Sequence, residues 1–131
     1  GEKSQDNNWV LAVERPITSE RAVQQYITVG DNALATSGDY RNYFESNGKR
    51  YSHLINPKTG LPITHNLVSV TVIHDSSMTA DGLSTALNVI GPEKAKKLAE
   101  AESLSILMIT KENGEFVEYM SPTFMKNITV Y

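Results

Sequence analysis

Asp81 and Thr85 stand four residues apart within HDSSMTADGLSTALNVI, residues 74–90. On a helix this spacing sets a carboxylate beside a hydroxyl on one face. Two such oxygens suit Mg2+, a hard cation that takes oxygen ligands and keeps waters or phosphates in its remaining positions. Ser77, Thr79 and Ser84 add polar groups near the start of that helix, where free backbone N–H groups favour phosphate oxygens. The pair also suits ordinary polar residues on an exposed helix face, and it does not complete an octahedral site. His53 is a second candidate, since an imidazole with an unperturbed pKa of about 6.5 can take a proton from a hydroxyl at neutral pH. Lys58, in the Pro- and Gly-rich connection that follows it, can meet a phosphate as a point charge. A surface histidine and a solvated lysine are the bland alternatives. Thr36, Ser37, Gly38 and Asp39 form a third polar group in which glycine permits close approach of a ligand to the main chain. Ser37 and Asp39 suit nucleotide contact or the orientation of a histidine, and equally a turn whose side chains bond only to their own backbone. His53, His65 and His74 do not make a zinc-ligand spacing.

The elements that must carry these residues follow from pattern. WVLAVERP at 9–16 reads as a strand ending at Pro16, and YITVG and ALATSG read as two more strands on either side of Asp31-Asn32, with pairing between them plausible. Ser19 is a candidate cap for a short helical turn. Asn47-Gly48, between Tyr- and Phe-rich segments, predicts a hairpin whose second strand delivers His53 to INPKTGLPI at 55–63. LVSVTVI at 67–73 predicts a strand with Ser69 and Thr71 on the face opposite Val70 and Val72. A helix follows, capped by Thr79 or Ser77, with Leu83, Ala86, Leu87 and Ile90 as its apolar spacing. Gly91-Pro92 ends it and PEKAKKLAEAE begins another. Residues 103–120 predict a hairpin about Asn113-Gly114, and SPTFMKNITVY a turn and an edge strand ending at Tyr131. Met108, Met120 and Met125 read as packing groups.

Composition bounds the classes. A chain of 131 residues can bury one core without metal or disulfide staples. An apolar fraction of 40% with 21% charged residues is that of a folded protein rather than a disordered one. A net charge of −3 gives no steering toward nucleic acid or anionic lipid. The absence of cysteine excludes thiolate ligands, thiol nucleophiles and disulfides. No apolar run reaches the roughly 20 residues of a membrane span, and no amino-terminal signal pattern is present.

The ordered series ATSGDY, GKRYSHLINPKTGLPI, LVSVTVI and TADGLSTALNVIGPE, over residues 35–93, resembles the carboxyl-terminal half of the ApbE flavin transferase family. NNWVLAVERP and SILMITKENGEF fit the same order. The resemblance implies an α+β fold, with a mixed, largely antiparallel sheet and two consecutive helices after residue 76. Residues 1–131 would then be the carboxyl-terminal portion of the domain, with the amino-terminal half absent. It implies Mg2+-assisted cleavage of FAD, transfer of FMN to a threonine hydroxyl of a target flavoprotein, and release of AMP. Asp81 and Thr85 look like the side-chain Mg2+ ligands and His53 like the group that activates the acceptor hydroxyl, with Thr36, Ser37, Gly38 and Asp39 helping to shape the site and Lys58 meeting phosphate. The missing half would supply much of the flavin pocket and a main-chain magnesium contact. The parent would be lipid-anchored at the periplasmic face of the bacterial inner membrane. Asn56 and Gly82 depart from the family pattern, which has aspartate and alanine there; Asn56 can still organise the turn. The competing readings are a noncatalytic flavin- or nucleotide-binding module, an FAD pyrophosphatase releasing FMN and AMP, and a purely structural interaction domain.

Overall fold

The structure, a computed structural model, describes residues 1–5, 7–15, 23–38 and 43–127. Along them the chain forms β1 (Glu2–Ser4), β2 (Asn7–Asn8), β3 (Val10–Glu14), β4 (Val23–Thr28), β5 (Ala33–Gly38), β6 (Tyr43–Ser46) and β7 (Lys49–Ser52). There follow β8 (Ile55–Asn56), β9 (Leu61–Pro62), β10 (Leu67–His74), α1 (Ser77–Ile90), α2 (Pro92–Ala101), β11 (Ser105–Glu112), β12 (Glu115–Met120) and α3 (Pro122–Met125).

β10 lies inside a four-stranded sheet ordered β12-β11-β10-β5, with every pair antiparallel. Leu67–Ile73 is buried throughout because both faces of the sheet are covered. On one face Val70 and Val72, with Ile106 and Met108 of β11, pack against Ala80 and Leu87 of α1 and Ala95 and Ala99 of α2. On the other, Ile73 and Leu107 pack with Val13, Ile27 and Val29 of the β3–β4 region and Phe124 of α3. The chain is therefore a sheet between a helical layer and a hairpin with a short helix. Each fully buried aliphatic side chain in such a core stabilises by about 1.5–3 kcal/mol, before the entropy of ordering it.

The α+β class, the antiparallel sheet and the two consecutive helices agree with the sequence reading. The Asn-Gly pairs form the turns expected, with φ of 52° and 74° at Asn47 and Gly48, and of 50° and 81° at Asn113 and Gly114. The pairing of YITVG with ALATSG does not form. The chain does reverse at Val29–Asn32, where the Asn32 N–H donates to the Val29 carbonyl at 3.0 Å, but β4 pairs back onto β3 and β5 onto β10. A turn fixes where the chain bends and not its partner: β5 sends Ala35 toward the helical core and Leu34 toward the core that holds Ile27. The carboxyl-terminal turn is the short helix α3, capped by the Ser121 hydroxyl; the expected strand at 128–131 lies outside the described residues, as do Ser19 and Pro16. Met108 is buried and Met120 packs against the second core, but Met125 is exposed, while its neighbour Phe124 is the residue that α3 buries.

Candidate functional site

α1 begins one residue earlier than its sequence suggests. Ser76, in extended conformation, accepts the Thr79 N–H on its hydroxyl at 3.3 Å, so the cap is Ser76 rather than Thr79 or Ser77. The buried side of α1 is Ala80, Ser84, Leu87 and Asn88, with Leu83 packed at its edge, whereas Ala86 and Ile90 are exposed. The apolar stripe expected at Ala86 and Ile90 is thus replaced by a partly polar one, and α1 packs over β5 and β10.

Asp81 and Thr85 are both exposed, one turn apart on one side of α1. The Ser84 hydroxyl does not join them: it donates to the Asp81 carbonyl at 2.9 Å inside the helix. Among the described residues no group of three or more His, Asp and Glu is gathered to hold a metal. Asp81 and Thr85 therefore offer two oxygens, a donor set that fits Mg2+ only if phosphates, waters or another segment fill the other positions. Just before the helix, Nδ1 of His74 lies 3.0 Å from the Ser76 N–H and 2.7 Å from Asp75 Oδ1. The first contact requires a lone pair on that nitrogen and the second a proton, so only one of them is a hydrogen bond at a time.

The residues of β5 divide between the faces of the sheet. Thr36 turns away from α1, and its hydroxyl meets that of Thr71 at 2.8 Å, which satisfies two polar groups inside the sheet layer. Ser37 lies on the α1 side, level with Val70, and its carbonyl accepts the Asn88 side-chain amide at 3.3 Å. Gly38 ends the strand opposite Ser69, and Asp39 lies outside the described residues.

The histidine loop is a succession of small turns. His53 is exposed at the end of β7, after Ser52, whose buried hydroxyl accepts the Leu54 N–H at 3.1 Å. Asn56 accepts the Lys58 N–H on Oδ1 at 2.9 Å, and its carbonyl accepts the Gly60 N–H at 2.8 Å. Asparagine thus organises this turn without a carboxylate, and Lys58 stands exposed at its tip. Beneath the loop is an open cavity of about 400 Å³, lined by Tyr51, Asn56, Thr59, His65, Val89 and Ile90 among others. The loop therefore meets the carboxyl-terminal end of α1, with Ile90 roughly 13 Å along the helix axis from Asp81.

Two residues to which the sequence reading gave no role stand out. Asn88 is fully buried, and among the described residues its Oδ1 has no partner. Its place seven residues after Asp81, on the same helix stripe, was the available signal. His65 accepts the Leu67 N–H on Nδ1 at 3.2 Å, so a neutral imidazole carries its proton on Nε2, which is buried and unpartnered. Away from these groups, on β12, burial first and the neighbouring Glu100 carboxylate second raise the Tyr119 phenol above its ordinary pKa; its hydroxyl donates to Glu100 at 3.2 Å.

A profile described as the ApbE family matches residues 1–108. The chain belongs to the ApbE family. A Vibrio cholerae relative named FAD:protein FMN transferase is 53% identical over 116 residues, covering 88% of this chain and 35% of that protein. The solved flavin transferase ApbE of Vibrio cholerae superposes with a TM-score of 0.84 at 46% identity, over 98% of this chain and 40% of that one. The apo flavinyl transferase ApbE of Pseudomonas stutzeri gives 0.81 at 40% identity, over 98% and 39%. This ApbE-family chain spans about a third of the length of the curated relatives it matches. Among its described residues no helix is long and apolar enough to cross a membrane.

Proposed function

We propose that the chain is the carboxyl-terminal part of an FAD:protein FMN transferase and carries its cation-binding and proton-accepting side chains. The observation behind this reading is the 53% identity over 116 residues to a protein of that name. Asp81 and Thr85 are the side-chain ligands of Mg2+, supported by their exposure one turn apart on α1. The chemistry the cation supplies when bound is neutralisation of charge on the phosphate oxygens of FAD. His53 accepts the proton of a threonine hydroxyl on the target flavoprotein as that oxygen bonds to the phosphorus of the FMN half. The bond from that phosphorus to the bridging oxygen breaks, and AMP leaves with the electron pair. Lys58 offers a point charge to phosphate, Ser37 and Gly38 shape the wall beside α1, Thr36 holds that wall to β10, and Asp39 helps to shape the site. The same reading puts the full-length protein at the periplasmic face of the bacterial inner membrane, held by lipid.

The test incubates the full-length polypeptide with FAD, Mg2+ and its target, and measures the target's intact mass. The expected result is addition of one FMN, with the rate falling roughly 100-fold or more in Asp81→Ala, the scale set by a lost cation ligand. Free FMN and AMP with an unlabelled target would make the protein a pyrophosphatase instead. FAD binding without either product would make it a binding module. Undiminished transfer by Asp81→Ala would remove that residue from the cation site.

A further inference from the structure

We infer that Asn88 is a positioning residue of this site: its side-chain amide holds the end of β5 in register with the helix that bears Asp81 and Thr85. The inference rests on the transferase reading above for its functional consequence, and on geometry for the link itself.

Asp81, Thr85 and Asn88 occupy one stripe of α1, at i, i+4 and i+7. The stripe runs from solvent into the protein, with Asp81 and Thr85 exposed and Asn88 at 0% exposure. An aliphatic residue would fill that interior position without desolvating an amide. Asn88 does desolvate one, and only half of it is recovered: Nδ2 donates to the Ser37 carbonyl at 3.3 Å, while Oδ1 is left without a partner. A group kept at that expense binds one thing specifically, the main chain at Ser37.

Ser37 is where such a hold matters. Among the described residues β5 is an edge strand, with β10 as its neighbour in the sheet. Its last residues, Thr36–Gly38, are the polar segment proposed to line the site. Thr36 is tied to Thr71 on the far face; on the α1 side Ala35 packs against the helical core, and the Asn88 amide hydrogen-bonds the main chain at the strand's end. Asn88 lies about 4.5 Å along the helix axis from Thr85 and about 10 Å from Asp81. The amide therefore fixes the spacing between the main chain at Ser37–Gly38 and the Thr85 turn. With the amide gone, α1 keeps its ligands, but the wall facing them is free to shift, which weakens binding of FAD more than it slows the bound complex.

The experiment compares wild type, Asn88→Leu and Asn88→Gln in the full-length polypeptide. It measures melting temperature, amide hydrogen exchange at residues 34–38, and KM for FAD against kcat. In Asn88→Leu the expected result is exchange about tenfold faster at 34–38 and a KM about tenfold higher, with kcat within about twofold. Melting should be unchanged or higher. Asn88→Gln, which retains a donor able to reach the Ser37 carbonyl, should recover most of both effects. If Asn88→Leu does not fold, Asn88→Ala carries the same comparison. Unchanged exchange at 34–38 overturns the link. A variant that loses stability but keeps KM and kcat below its melting point makes Asn88 a structural residue only and also overturns the inference. If wild type transfers no FMN, the transferase reading has failed, and the exchange data still decide whether Asn88 holds β5.

Discussion

Gly91 closes α1 and opens α2, and replacing it with alanine tests how the helical layer is seated. Its φ of 89° and ψ of 169° lie in a region that is essentially restricted to glycine. Holding alanine there costs about 1–3 kcal/mol. A Cβ at this buried position would also come within 3.1 Å of His65 Cδ2, closer than side chains comfortably pack. His65 is held by the bond from the Leu67 N–H, so it cannot yield freely, and relieving the overlap adds about 1 kcal/mol. The sum, about 3 kcal/mol, corresponds to a melting point lower by about 10 °C for a chain of this size. Thermal unfolding followed by far-ultraviolet circular dichroism reads that shift. Repeating the substitution in His65→Ala separates the two causes: the steric part should vanish while the backbone part remains, a coupling of about 1 kcal/mol. A Gly91→Ala protein melting within about 2 °C of wild type would refute the backbone argument. Equal losses in both His65 backgrounds would refute the steric one.

Gly82 gives the opposite expectation. It is exposed inside α1 with open space where a Cβ would project, so Gly82→Ala should stabilise by about 0.5–1 kcal/mol, read as a higher melting point. Tyr119 gives a pH dependence. Its phenol is raised by burial and then by Glu100, so the neutral form is favoured in the folded state. The stability this contributes is complete below the ordinary tyrosine pKa of about 10 and is lost as pH rises through the higher folded value. Tyrosinate absorbance, taken as the difference between wild type and Tyr119→Phe, should show a midpoint that falls in Glu100→Gln yet stays above the ordinary value. A midpoint indifferent to Glu100 would show that burial acts alone.

Much of the fold was legible because its determinants are local. Asn47-Gly48 and Asn113-Gly114 specify turns with positive φ at both residues, so two hairpins could be placed from dipeptides. The alternation in LVSVTVI put Val70 and Val72 on one face and Ser69 and Thr71 on the other, and the two cores follow that division. The i, i+4 spacing of Asp81 and Thr85 sufficed to set them on one side of a helix. Gly91-Pro92 marked the helix junction, since neither residue suits a helix interior.

The misplaced features depended on partners distant in the chain. Asp31-Asn32 announced a reversal, but whether β5 would pair with β4 or with β10 depended on segments far along the chain, since β10 takes β5 along one edge and β11 along the other. Ser77 and Thr79 both suit a cap by residue type, and the extended backbone at Ser76 sets the cap before either of them. Thr36 and Ser37 are neighbours in sequence, yet strand pleating sends one hydroxyl to Thr71 and leaves the other on the α1 side. By itself, then, the sequence determined the turns, the junction of the two helices at Gly91-Pro92, and the local pairing of Asp81 with Thr85. Only the tertiary structure decided the partner of β5 and the burial of Asn88 against Ser37, because a contact across 51 residues is set by how faces are covered and leaves no mark in local spacing.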